Sequence, residues 1–171
     1  MIQWFLNRQL AAAEKKYGVP MDYMRYVAAH SLGAALRMAR FVKLAERAPN
    51  LPVAAASVAG IVSAQADDCG TCVQIGVNIA RQRGVSRDIP TAVVRRRPDD
   101  LPDDLRDVYQ FAAAVTSGVD DEGLRERLRK RYGDRGLIDL AMAIAMHRVY
   151  PTFKRALGYA QSCSLVTVGV E

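Results

Sequence analysis

Apolar residues recur along this chain at intervals of three and four, the spacing of one face of an α-helix. The one β-prone stretch, Ser164 to Val170, stands isolated near the end and is expected to pack on the surface or on a neighbouring subunit. Residues 2–16 read as a helix that ends before Gly18-Val19-Pro20. Asp22 can cap a long helix running to about Arg47, with apolar positions at Tyr26, Ala29, Gly33, Leu36, Phe41 and Leu44. Ala48-Pro49-Asn50 ends it. Pro52 suits the first turn of the next helix, 52–66, which is small and apolar nearly all round and therefore belongs at the centre of a bundle. Asp67-Asp68-Cys69-Gly70 breaks it, and a new helix runs from about Gly70 to Arg83, closed by Gly84.

Ser86 and Asp88 open a short helix to about Val94, and 95–104 is the clearest loop. Pro102 to Ser117 is helical again. Asp120 or Asp121 then caps a charged helix to Tyr132, with Leu124, Leu128 and Tyr132 in one stripe. Asp134 is expected to cap the following helix, in which Leu137 to Val149 is apolar on most sides and again central. Pro151 is expected to start a last helix to about Ala160. Two Ala-rich apolar helices flanked by amphipathic ones predict an all-α bundle, one domain spanning 1–171 with its core at about 20–160.

Composition changes this picture little. The 171 residues are half apolar and a quarter charged, as in an ordinary globular domain. The net charge is +6, but the arginines are interspersed with acids, as in Arg95-Arg96-Arg97-Pro98-Asp99-Asp100. Such a distribution predicts solvated faces and no nucleic-acid partner. No basic n-region with an apolar core opens the chain, and the most apolar stretch, Pro52 to Ala66, is too short to span a bilayer. A soluble cytoplasmic protein without a membrane partner is expected. Three cysteines are too few for an extracellular disulfide framework.

The informative chemistry is Asp67-Asp68-Cys69-Gly70-Thr71-Cys72-Val73-Gln74. Two thiols at this spacing on the first turn of a helix can close a small disulfide ring. The helix N-terminus supplies partial positive charge and free N–H groups, both of which stabilise a thiolate. A thiolate attacks peroxides or disulfides, and the second thiol resolves the product. Asp67 and Asp68 oppose thiolate formation. Asp68 could instead cap the helix or pass protons to and from the dithiol. A thioredoxin fold would need strands ahead of the dithiol, where 52–66 reads as helix. A zinc site would have to combine Cys69, Cys72, Cys163 and His30 or His147, with no second CxxC to strengthen it. No Gly-rich phosphate loop and no CxxCH is present, so no nucleotide, flavin or haem cofactor is expected.

The dithiol at a helix start, preceded by an apolar helix and followed by an amphipathic one, resembles the alkylhydroperoxidase D-like group of the carboxymuconolactone decarboxylase family. Segment 52–83 carries the resemblance, and Leu137 through Met142, His147, Pro151, Lys154, Arg155, Ala156, Leu157, Gly158 and Tyr159 is similar to divergent members. The resemblance implies a helical fold that oligomerises with copies of itself and reduces a small peroxide or a protein disulfide. It also implies that Cys72 attacks and Cys69 resolves; the residues alone leave that order open. The decarboxylase branch does not rely on a CxxC. Peroxidase-active members carry a histidine four residues after the second cysteine and a glutamate twelve before the first; here these are Gly76 and Ser57. Asp68 and His147 are the candidate substitutes for that proton relay, although a lone histidine on an apolar helix is more often a packing residue.

Three functions compete at this point: a thiol-dependent peroxidase or disulfide reductase, a non-catalytic helical module or redox sensor that has lost the relay, and a zinc-stabilised helical domain.

Overall fold

The computed structural model describes residues 2–45 and 47–159. Among these the chain is all-helical, with no strand. The helices are α1 (Ile2–Tyr17), α2 (Asp22–His30), α3 (Leu32–Ala45), α4 (Val53–Ala66), α5 (Gly70–Gln82), α6 (Asp88–Val94), α7 (Asp103–Thr116) and α8 (Glu122–Ala156), with a 3-10 turn at Pro98–Asp100. None is long and apolar enough to cross a membrane.

Helix α4 occupies the centre, as its all-round apolar sequence demands. Every residue from Val58 to Ala64 is buried, and α5, α6, α7 and α8 all pack on it. Its small side chains, and glycines on both sides of its contacts, let neighbours approach closely. A Cβ added at Gly60 would lie 2.6 Å from His147 Nε2 of α8, and one at Gly76 of α5 would lie 2.9 Å from Ile61 Cγ1. A second apolar cluster, built on Val19, Met21, Tyr23, Met24, Val27 and Ala35, joins α2 and α3 to Ile75 of α5 and to Tyr150 and Phe153 of α8. Helix α5 thus runs between the two clusters.

Several helix ends follow the expected chemistry. The Asp121 carboxylate accepts from Leu124 N–H at 2.9 Å and caps α8. Gly84, at φ 79°, closes α5 in a conformation that glycine adopts without strain. The last carbonyls of α1 are taken up by α5, since Asn78 Nδ2 donates to Tyr17 O (2.8 Å) and Gln82 Nε2 to Lys16 O (2.7 Å).

Four expectations are corrected. The long helix predicted from Asp22 to Arg47 divides at Ser31, which is extended (φ −155°, ψ 94°) and ends α2. Its hydroxyl accepts from Ala34 N–H at 3.3 Å and its carbonyl takes the first bond of α3, so one serine ends a helix and caps the next. The two halves do not share a face: Tyr23, Met24, Val27 and Ala35 turn inward, while Tyr26, Leu36 and Leu44 are exposed. Second, Met21 rather than Asp22 is the N-cap residue of α2, leaving Asp22 in its first turn. Third, Pro151 does not start a helix. The expected break before Leu137 is present, since Gly133 (φ 69°, ψ 175°) divides α8 into two helices across a kink, and the Asp134 carboxylate pairs with Arg129 at 3.2 Å. Helix α8 then runs through Pro151 to Ala156, because the proline is buried and packing holds the turn despite the missing N–H. Fourth, the stretch Leu137 to Val149 is buried on one side only. Leu140, Ala143 and Ile144 face the core, whereas Ile138, Met142 and Val149 are exposed. The β-prone tail and Cys163 lie outside the described residues.

Candidate functional site

The turn between α4 and α5 carries the dithiol. Asp68 adopts a left-handed conformation (φ 47°), which reverses the chain after α4 and sets Cys69 as the N-cap residue of α5. Cys72 follows on the first turn of the helix, and the two cysteines are joined in a disulfide with Cα atoms 5.3 Å apart. Their surroundings differ. Cys69 is wholly buried, while Cys72 is partly accessible. Of the two residues, Cys72 is the one nearer to solvent.

Helix α8 grips this turn with three cationic side chains. Arg148 donates from Nε and Nη2 to the two oxygens of Asp67, each at 3.1 Å. Arg155 donates to the Asp67 carbonyl oxygen. Lys154 donates from Nζ to Thr71 Oγ1. The same hydroxyl oxygen lies 3.6 Å from Cys69 Sγ, within hydrogen-bonding reach for sulfur. A path of polar atoms thus runs from Lys154 through Thr71 to the buried sulfur.

Lys154 is an unusual cation. Only 4% of its surface is exposed, and its ammonium lies 5.0 Å from the centroid of the Tyr23 ring. Burial pushes its pKa down from the ordinary lysine value to about 8. The Tyr23 phenol is driven the other way, well above its usual value, by its own burial, so that ring stays neutral beside the lysine. The acid-rich turn is consequently less hostile to a thiolate than the bare sequence suggests. Asp67 is paired with Arg148, and a cation stands one hydroxyl away from Cys69.

The remaining candidates are dispersed. Asp68 is exposed beside the dithiol and is not the N-cap residue. His147 lies where α8 crosses α4, its Nε2 against Gly60 and its Nδ1 2.7 Å from Ala143 O. Its ring occupies the space that a side chain at Gly60 would need. His30 is exposed on α2 and stacks on Tyr26 with ring centroids 4.3 Å apart. At the two relay positions, Ser57 is half-buried on α4, and Gly76 is pressed against Ile61. Among the described residues no group of three or more His, Cys, Asp and Glu side chains could hold a metal ion. In the disulfide form neither Cys69 nor Cys72 is a thiolate ligand.

Lys154, Thr71, Arg148 and Arg155 were not singled out as site residues by the sequence pattern. The one signal for them is that Arg148 and Arg155, seven residues apart, share a face of α8 that could meet the Asp67-Asp68 turn. Nothing in the sequence alone marks Lys154 as buried.

No protein-family model, no curated protein and no solved structure matches the chain.

Proposed function

We propose that this protein is a dithiol–disulfide oxidoreductase that reduces a small peroxide or a protein disulfide, with Cys72 as the attacking sulfur and Cys69 as the resolving one. The observation that carries it is the asymmetric pair itself: two bonded cysteines at a helix start, one partly accessible and the other wholly buried. The Cys72 thiolate attacks a peroxide oxygen, the O–O bond breaks, and the alcohol leaves with a proton. The sulfenic acid left on Cys72 is attacked by Cys69, giving the disulfide and water. A cellular dithiol then restores both thiols by exchange and is itself oxidised to its disulfide. The reducing cytoplasm suits such a cycle. Oligomerisation with further copies is part of the proposal, supported by the exposed stripe Ile138, Met142 and Val149 on α8.

The test is peroxide consumption coupled to a dithiol reductant. Cys72→Ser is expected to lose turnover, and Cys69→Ser, with the reductant left out, to perform a single reduction and stop as the sulfenic acid. Undiminished turnover by Cys72→Ser would refute the assignment.

A second reading is favoured by one observation. Ile61 fills the space beside Gly76, so the histidine relay of the resembling family has no room in this packing. A redox sensor, which forms its disulfide slowly and signals through it, needs no such relay. A rate with peroxide no faster than that of a free thiol would favour that reading.

A further inference from the structure

We propose that Lys154, acting through the hydroxyl of Thr71, holds the proton that Cys69 gains and loses as the disulfide opens and closes. The proposal rests on the dithiol reading above and names how that site moves its proton. Thr71 is the group in reach of the reacting sulfur, and Lys154 is the positioning residue behind it.

The geometry assigns distinct parts to the two sulfurs. A reductant thiolate can reach Cys72, so its attack forms a bond to Cys72 Sγ and breaks the S–S bond. The electron pair leaves on Cys69 Sγ. That atom is wholly buried, and a bare thiolate there is costly to form. The Thr71 hydroxyl gives its proton to Cys69 Sγ and takes one from the Lys154 ammonium. Lys154 is left neutral and regains a proton from water. A second thiol of the reductant then releases Cys72 as a thiol and becomes the reductant's own disulfide. In the opposite direction the path reverses. Cys69 gives its proton through Thr71 to the neutral Lys154 amine, its sulfur attacks the Cys72 sulfenic acid, and the S–O bond breaks. The hydroxide leaves as water, with a proton drawn from the same ammonium or from solvent.

Lys154 suits the task because it is poised to exist in both forms. Burial lowers its pKa to about 8, within reach of an ordinary thiol. The groups around it leave the proton with this pair. Tyr23, from α2, stays neutral because burial raises its phenol. From the α4–α5 turn, the Asp67 carboxylate is engaged by Arg148, and Asp68 is exposed. On α8 itself Arg148 and Arg155 are permanent cations that cannot serve as proton stores.

The experiment measures opening of the disulfide in the full chain by dithiothreitol between pH 6.5 and 9.5, quenched by alkylation and read by mass. Rates are expressed per reductant thiolate, so that the reductant's own titration drops out. In the wild type the rate is expected to be high at low pH and to fall as pH passes about 8. Lys154→Met and Thr71→Val are expected to be slow, by roughly 100-fold at pH 7, and flat across the range. Lys154→Arg keeps the charge but cannot give up its proton in this range, so its profile is flat as well. Thr71→Ser restores the wild-type profile. Lys154→Met or Thr71→Val matching the wild type in rate and profile overturns the proposal, as does a wild-type fall retained by Lys154→Arg. Peroxide turnover is followed in parallel. A flat wild-type profile overturns the relay whether or not peroxide is consumed; an intact profile without peroxide turnover supports the relay and removes the peroxidase reading alone.

Discussion

Arg148 holds both carboxylate oxygens of Asp67 at 3.1 Å, and through that grip α8 fixes the turn that ends at Cys69. The pair is lopsided in exposure: the arginine side chain is 40% accessible and the aspartate side chain 10%. Arg148→Ala therefore leaves a largely buried carboxylate without its fork. The expected loss is about 1–2 kcal/mol, above that of a surface pair and below that of a fully buried one. Urea unfolding followed by circular dichroism measures it. Arg148→Lys, which cannot make the two parallel bonds, is expected to recover only part of the loss.

Gly60 and His147 are complementary in shape, since the histidine ring stands where a Cβ on Gly60 would be. Gly60→Ala is expected to destabilise the fold by about 1–3 kcal/mol through overpacking. His147→Ala should absorb much of that penalty, so the double variant loses less than the two single variants added together. Strict additivity in urea midpoints would show that the two positions do not meet.

The same logic applies at Gly76. Gly76→His drives a side chain into Ile61. Loss of about 1–3 kcal/mol is expected, with no gain in peroxide turnover. Pairing Gly76→His with Ile61→Ala opens space and should return part of the stability.

Lys154 makes stability depend on pH in a defined window. The unfolded chain keeps this proton up to about 10.5, while the folded chain releases it near 8. Between those values the unfolded state binds more protons, so the contribution of this group to stability rises with pH. Below about 8 the buried charge is a burden of at most about 3 kcal/mol, partly offset by Thr71 and the Tyr23 ring. Lys154→Met is expected to equal or exceed wild-type stability at pH 7, with the difference shrinking toward pH 10. Wild-type stability falling relative to Lys154→Met over that window would contradict the burial of the charge.

The central helix, the helix start at Gly70 and the glycine that closes α5 were legible because each is written in local pattern and local chemistry, which also narrowed the cap of α8 to Asp120 or Asp121. The break at Ser31 was not. A serine between two helical stretches reads as a tolerated interior residue until its carbonyl and hydroxyl are seen serving the next helix. The outward turn of Tyr26, Leu36 and Leu44 follows from that break, and no periodicity within one segment announces it. At the candidate site the two sulfurs stood out by spacing alone. Lys154 did not, because a lysine beside an arginine near a helix end ordinarily signals a solvated cation that complements the helix dipole. Its burial is a product of α2, α5 and α8 meeting, which is information the sequence holds only through the fold.

The most direct test of the central claim is the redox equilibrium of the Cys69–Cys72 pair in chain carrying Cys163→Ser, set by graded ratios of reduced to oxidised dithiothreitol or glutathione and read by alkylation and intact mass. A single two-electron transition with a midpoint of about −180 to −270 mV is predicted, the range of cellular dithiol enzymes. Thiols that remain uncoupled across the whole range, or a disulfide that never opens in the folded protein, would contradict it.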